Sequence, residues 1–124
     1  MLDHLSIGVS DFARAAAFYD ACLAPLGGRR VMEFGESIGY GTDYPSFWVG
    51  RVEGAGRAAI PGLHICLQAP DRAAVDAFHA AALWAGGRDD GAPGLRPHYH
   101  ATYYAAFVLD PDGTRIEAVC HRPE

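Results

Sequence analysis

The sequence repeats itself at an offset of 60 residues. Residues 4–27 can be laid over residues 64–87 without a gap, and the matched pairs include charged, aromatic and turn-forming residues: His4 with His64, Asp11 with Asp71, Phe18 with Phe78, and Gly27 with Gly87. Matched alanines add little because alanine-rich helices align by chance. The repeat predicts a fold built from two copies of one supersecondary unit.

Each copy begins with the pattern of a strand followed by a helix. Residues 2–9 are predicted to form a strand with His4 on the same face as Leu2 and Ser6. Ser10 or Asp11 can cap the helix that follows. The apolar stripe of that helix contains Ala15, Phe18, Tyr19, Cys22, Leu23 and Leu26. In the second copy the corresponding parts are a strand over 63–69, the cap Asp71, and the stripe Ala74, Val75, Phe78, Ala82 and Leu83.

Short strands are predicted to complete both copies. In the first copy they lie around 30–34, 38–41 and 46–52, and the glycine-rich segment 53–57 connects the copies. In the second copy, strands over 102–109 and 114–120 are joined by the turn Asp110-Pro111-Asp112-Gly113. Residues 91–94, with two glycines and a proline, are predicted to form a loop.

The composition narrows the class of protein. At 124 residues we expect one compact domain over 1–124, with modules at about 1–53 and 61–122. The chain has no apolar run of the roughly 20 residues that cross a bilayer, so we expect a cytoplasmic protein that does not bind membranes. The net charge is −5 and the ten basic residues are scattered arginines, which argues against nucleic-acid binding. Cys22, Cys66 and Cys120 are predicted to be buried, reduced thiols.

Two segments resemble a known superfamily. The opening His4-Leu5-Ser6-Ile7-Gly8-Val9-Ser10-Asp11, followed by Phe18-Tyr19, is similar to the first strand and helix of vicinal oxygen chelate proteins. The closing Phe107-Val108-Leu109-Asp110-Pro111-Asp112-Gly113 through Ile116-Glu117 is similar to their final hairpin. This superfamily includes glyoxalases, bleomycin resistance proteins and extradiol dioxygenases. The resemblance implies an α+β fold of two tandem βαβββ modules that form a curved mixed sheet around a cleft, and it implies a homodimer.

The resemblance also implies a metal site. It gives His4, His64 and Glu117 as ligands of Fe(II), Mn, Ni, Co or Zn, a set that leaves positions open for a bidentate substrate. The segment that would supply a fourth, acidic ligand, residues 46–50, has no carboxylate. Glyoxalase I activity is therefore less expected, and the remaining set resembles the two-histidine, one-carboxylate set of extradiol dioxygenases. In the alternative interpretation no metal is bound, the histidines are structural, and Glu117 pairs with Arg115 or Arg96.

Residues 96–104 form a second cluster of polar and aromatic side chains. We expect Arg96, His100 and Tyr103 to line the mouth of the cleft, where Arg96 can clamp a carboxylate or phosphate. The predicted catalytic residues are Glu117, His100 and Tyr103, and Arg96 is predicted to bind substrate together with three aromatic residues: Phe47, Trp48 and Tyr104. These aromatic side chains are equally expected to pack the sheet.

Two functions are consistent with these residues. The first is a metal-dependent lyase, isomerase or dioxygenase that acts on a small oxygenated molecule. The second is a metal-free protein, similar to bleomycin resistance proteins, that binds an aromatic or cationic compound between aromatic walls.

Overall fold

The computed structural model describes residues 1–57 and 60–124 and contains the same order of elements twice. The first module consists of β1 (Leu5–Val9), α1 (Phe12–Leu23), a 3₁₀ turn (Ala24–Leu26), β2 (Arg29–Phe34), β3 (Ser37–Gly41) and β4 (Phe47–Arg51). The second consists of β5 (His64–Gln68), α2 (Arg72–Trp84), β6 (Arg88–Leu95), β7 (Tyr104–Leu109) and β8 (Arg115–Cys120). The predicted α+β fold of two tandem βαβββ modules is confirmed.

Each module forms one mixed four-stranded sheet. The strand order is β1-β4-β3-β2 in the first sheet and β5-β8-β7-β6 in the second. The first strand of each module pairs in parallel with the last, and the other neighbours are antiparallel. Within these parallel pairs Ser6 lies opposite Trp48, and Cys66 lies opposite Glu117. Since Ser6 and Cys66 match in the sequence repeat, Trp48 occupies in the first module the place that Glu117 occupies in the second.

The two helices begin as the sequence predicts. The Asp11 carboxylate accepts a hydrogen bond from the Arg14 backbone N–H at 3.0 Å, and Asp71 accepts one from Ala74 at 2.8 Å. The predicted apolar stripes are largely buried, but Leu83, predicted to be buried, is 39% exposed because it lies at the end of α2. Among the described residues no helix is long and apolar enough to span a membrane.

Both modules contribute to one hydrophobic core. Val9, Phe18 and Val49 of the first module and Val75, Phe78 and Ile116 of the second belong to the same buried cluster. The helices pack against one another and against the sheets within this core. Side chains alternate along each strand, so each sheet also has a face turned away from the core. We call this side of each sheet its open face.

The segment 91–94 differs from its prediction. It belongs to β6, although the predicted loop-forming residues are present. The pairing of β6 with β7 shifts register between Asp89 and Gly91 and again between Gly91 and Gly94. Pro93 is tolerated because β6 is an edge strand and such bulges occur at sheet edges. Glycine and proline therefore mark an irregular strand here, and the predicted loop was wrong.

Candidate active site

A histidine and a buried carboxylate meet on the open face of the second sheet. His64 begins β5 and Glu117 lies in the middle of β8, and the distance from His64 Nε2 to Glu117 Oε1 is 3.2 Å. The Glu117 side chain is 2% exposed, whereas that of His64 is 44% exposed. A carboxylate removed from water in this way needs hydrogen-bonding or charged partners. The pair therefore presents a shielded anion beside an imidazole that a ligand can reach.

The second oxygen of Glu117 is held by a phenol. The Tyr103 hydroxyl group donates a hydrogen bond to Glu117 Oε2, and the two oxygens are 2.5 Å apart. Burial, followed by this hydrogen bond, raises the pKa of Tyr103, so the phenol keeps its proton and acts as a donor at neutral pH. The pairing of Glu117 with an arginine, which belonged to the alternative metal-free interpretation, is not seen: Arg115 donates to Asp90 Oδ2 at 2.6 Å, and Arg96 donates to backbone carbonyls.

Cys66 is a third side chain beside the His64–Glu117 pair. It was predicted to be buried, but it is exposed on the open face, directly across from Glu117. Although the residue as a whole is exposed, loss of hydration at its sulfur, followed by the adjacent Glu117 charge, raises the pKa of Cys66 to about 12. At neutral pH the group is therefore a thiol and not a thiolate. Alternation from His64 along β5 was the signal that would have located it.

His4 lies in the first module and has a different partner. It stands one residue before β1, its side chain is 55% exposed, and its Nδ1 is 2.6 Å from Asp3 Oδ1. Within residues 1–57 and 60–124 no three His, Cys, Asp or Glu side chains are grouped closely enough to hold a metal ion. Of the three predicted ligands, the structure brings His64 and Glu117 together, and it places His4 in the other module.

Trp48 lies on the open face of the first sheet. Gly39 is its neighbour across β3 and β4, and a Cβ at Gly39 would lie 2.9 Å from the indole ring and 2.5 Å from Pro45. The absence of a side chain at Gly39 therefore creates the space for the indole. The ring stacks against Phe34, with 6.2 Å between centroids and 16° between planes. Trp48 and Phe34 together form an aromatic surface on this face.

The structure does not bring all of the predicted aromatic residues to an open face. Phe47 is 5% exposed in the core, where its ring makes an edge contact with Tyr19 at 5.3 Å. Tyr104 points to the helix side of the second sheet and donates to Asp76 Oδ1 at 2.6 Å. Both residues were predicted to bind substrate. Both side chains lie on the helix side of their sheets, apart from the His64–Glu117 pair, because neighbours along a strand face opposite sides of its sheet.

Arg96 and His100 flank Tyr103 in different ways. Arg96 lies next to the ring of Phe107 on the open face, with its Cζ 5.5 Å from the ring centroid. His100 packs edge-on against Tyr103, and the centroids of these two rings are 5.2 Å apart. The Nε2 atom of His100 is 2.7 Å from Nδ1 of His121. In this structure His100 contacts Tyr103, and Tyr103 contacts Glu117.

Two tandem βαβββ modules, each with one mixed four-stranded sheet and one helix, define a glyoxalase-like α+β protein. The model of the Glyoxalase/Bleomycin resistance protein/Dioxygenase superfamily matches residues 1–118. The chain therefore belongs to this superfamily.

Solved structures show the same fold. A glyoxalase/bleomycin resistance protein from Albidiferax ferrireducens T118 is 30% identical, with a TM-score of 0.81 over 94% of this chain and 95% of that one. A glyoxalase/bleomycin resistance protein/dioxygenase family enzyme from Burkholderia phytofirmans PsJN is 20% identical, with a TM-score of 0.73 over 95% and 96%. Lactoylglutathione lyase from Agrobacterium tumefaciens is 17% identical, with a TM-score of 0.63 over 96% and 92%. No curated protein matches the chain.

Proposed function

We propose that the protein is a divalent-metal-dependent enzyme that acts on a small oxygenated metabolite at the open face of the second sheet. The observation that carries this proposal is the His64–Glu117 pair, with 3.2 Å between its nearest atoms and a carboxylate that is 2% exposed. An apolar residue in place of Glu117 would stabilise the fold without the free-energy cost of burying a carboxylate. Costly buried ionisable groups are concentrated at functional sites.

The donor chemistry of the pair suits a divalent ion. An imidazole nitrogen and a carboxylate oxygen are ligands for Fe(II), Mn, Ni, Co and Zn. A metal bound there would supply a Lewis acid that polarises the vicinal oxygens of a substrate. His64 and Glu117 would hold it, and the third ligand would be His4 of a second copy of the chain.

In a homodimer, His4 of one copy can reach the His64–Glu117 pair of the other. The helix sides of both sheets line the shared core, so both open faces point away from it. His4 precedes the first strand of one sheet and His64 begins the first strand of the other. If the first sheet of one copy faces the second sheet of another, a two-fold axis generates two equivalent sites, each with both histidines.

The other residues of the site have roles that follow from their contacts. Tyr103 holds one oxygen of Glu117 and leaves Oε1 on the side of His64, where it can bind a metal or accept a substrate proton. His100 packs against the ring of Tyr103 and positions it. In the dimer, Trp48 of the second copy would provide an aromatic wall across the cleft, and Arg96 would bind substrate.

Metal content tests this function. Tag-free protein is reconstituted separately with Mn, Ni, Zn and Fe(II), dialysed, and analysed for bound metal. We expect near-stoichiometric uptake of at least one of these metals, and at least about tenfold weaker binding in Glu117→Gln. Glu36→Gln, a change of the same kind in the exposed turn between β2 and β3, should bind as the wild type does. Uptake that is equally low in wild type and Glu117→Gln would contradict the proposal.

A second candidate function is metal-free binding of an aromatic or cationic compound, and the exposed aromatic surface on the first sheet favours it. Phe34 is 64% exposed and stacks with Trp48. Quenching of Trp48 fluorescence by benzyltrimethylammonium, in a Trp84→Phe background, measures such binding. This function predicts binding that survives Glu117→Gln and is lost in Phe34→Ala. Equal quenching with and without Phe34 would exclude it.

A further inference from the structure

Two arginines share one aromatic ring next to Glu117. Phe107 on β7 lies directly opposite Glu117 on β8 and is 5% exposed. The guanidinium carbon Cζ of Arg115 is 4.4 Å from the centroid of the Phe107 ring, and that of Arg96 is 5.5 Å away. Contacts of this kind hold a cation against an aromatic surface. Both guanidinium groups thus lie against the aromatic ring that is the cross-strand neighbour of the buried carboxylate.

The irregular strand β6 holds Arg96 in place. Its Nη1 donates to the Gly94 carbonyl at 2.8 Å and its Nη2 to the Ala92 carbonyl at 2.9 Å. A Cβ at Gly91 would lie 3.0 Å from Phe107 Cδ1 and 3.2 Å from Arg96 Nη2, so glycine provides the space that the guanidinium occupies. The bulges of β6 therefore have a specific consequence, since they turn two carbonyl groups towards one arginine.

Among the described residues, no acidic side chain forms a salt bridge with Arg96. Arg115 does have an acidic partner, since its Nε donates to Asp90 Oδ2 at 2.6 Å. Only Nε takes part in that bond, so the two terminal nitrogens of Arg115 can donate to other acceptors. The Arg115 side chain is 42% exposed. Both guanidinium groups retain N–H donors for a ligand.

We propose that Arg96 and Arg115 bind an oxyanion of the substrate, a carboxylate or a phosphate, beside the His64–Glu117 pair. The inference deepens the proposed function and rests on it for the reacting end of the substrate. The substrate class is then a small anionic molecule with its oxygenated carbon at Glu117 and its anionic group at Phe107. The planar fork of guanidinium donors matches carboxylate and phosphate oxygens. Arg115 and Phe107 are specificity residues that the sequence analysis did not assign.

Titration of the metal-free protein with anions tests this inference. The side-chain Nε–Hε signals of the arginines are followed by NMR at constant ionic strength during addition of sodium benzoate, inorganic phosphate or benzamide. Saturable shifts of the Arg96 and Arg115 signals are expected with at least one anion and not with neutral benzamide. The tighter anion identifies the oxyanion. Arg96→Gln and Arg115→Gln should each weaken that binding about tenfold or more.

The control variant is Arg88→Gln, which removes the same charge from the exposed start of β6 and should leave binding unchanged. Equal shifts with benzamide, or binding that survives both Arg96→Gln and Arg115→Gln, would overturn the anion site. Because the titration uses metal-free protein and reads arginine signals, its outcome is separate from metal uptake. Anion binding without metal uptake would contradict only the metal-dependent function, and the reverse result would contradict only the anion site.

Discussion

Substitution of Tyr19 by phenylalanine should destabilise the contact between the two modules. Tyr19 on α1 donates its hydroxyl to Asp110 Oδ2 at 2.6 Å, across 91 residues of sequence. Tyr19 is 0% and Asp110 2% exposed. Tyr19→Phe keeps the ring in its contacts with Phe18 and Phe47, at 4.8 Å and 5.3 Å, and removes only the donor. The change therefore isolates one hydrogen bond to a buried carboxyl group.

The expected loss in the free energy of unfolding is about 2 kcal/mol, because a hydrogen bond to a charged group contributes roughly 1.5–3 kcal/mol. Unfolding entropy of about 2.1 cal/mol/K per residue then gives, for a chain of 124 residues, a fall in Tm of about 8 °C. Urea denaturation and calorimetry measure the two quantities. Asp110 also accepts bonds from the backbone N–H groups of Asp112 and Thr114, at 3.0 Å and 2.8 Å, so the turn itself should stay folded.

The loss should depend on pH. Burial raises the pKa of Asp110, and the bond from Tyr19 lowers it again, so the pKa rises further in Tyr19→Phe. A carboxyl group with a raised pKa in the folded state stabilises the fold fully below its unfolded pKa, and this contribution is lost as the pH rises through the folded pKa. The difference between wild type and Tyr19→Phe should therefore be largest at pH 7 and should shrink towards pH 4.

Tyr40→Phe is the matched control for this prediction. Tyr40 donates to Asp20 Oδ1 at 2.8 Å, but the Asp20 side chain is 43% exposed and Arg30 already binds both of its oxygens. Water and Arg30 can compensate for the lost hydroxyl, so the cost should stay below about 1 kcal/mol. Equal losses in Tyr19→Phe and Tyr40→Phe, or a loss that does not change with pH, would refute the reasoning.

Two further predictions concern the open faces. Gly39→Ala should cost about 1–3 kcal/mol and shift the emission of Trp48 in a Trp84→Phe background, since the new Cβ would overlap the indole and Pro45; unchanged stability and emission would contradict the packing. Cys66 should react with iodoacetamide at pH 8 at least about tenfold more slowly than a cysteine peptide, because its pKa is about 12. Glu117→Gln should accelerate that reaction, and an unchanged rate would show that the Glu117 charge does not control the thiol.

Local chemistry made much of the fold predictable. Asp11 and Asp71, which match in the repeat, cap the two helices. The turn at 110–113 forms because the Asp110 side chain accepts hydrogen bonds from two backbone N–H groups and Gly113 adopts φ +90°. These interactions lie within a few residues of one another, so the sequence pattern contains them. The 60-residue repeat predicted the remaining architecture, because the strand and helix pattern of one module implies the same pattern in the other.

The composition of the site was harder to predict because it depends on strand register. Phe47 and Trp48 are neighbours, as are Tyr103 and Tyr104, and only one member of each pair can point to the open face. Strict alternation would have excluded one residue of each pair, but only the pairing of strands shows which one. Phe107 and Arg96 meet because β6 is bulged, and its glycines and proline also fit a loop.

Metal binding by mixed subunits tests the shared site most directly. His4→Ala and His64→Ala variants are purified separately, then unfolded and refolded together in equal amounts. If His4 of one copy joins His64 and Glu117 of another, each mixed dimer has one intact site, and about one quarter of all sites regain metal. Refolding each variant alone should restore none. Metal retained by His4→Ala alone, or no recovery in mixtures that contain mixed dimers, would contradict a site built by two copies of the chain.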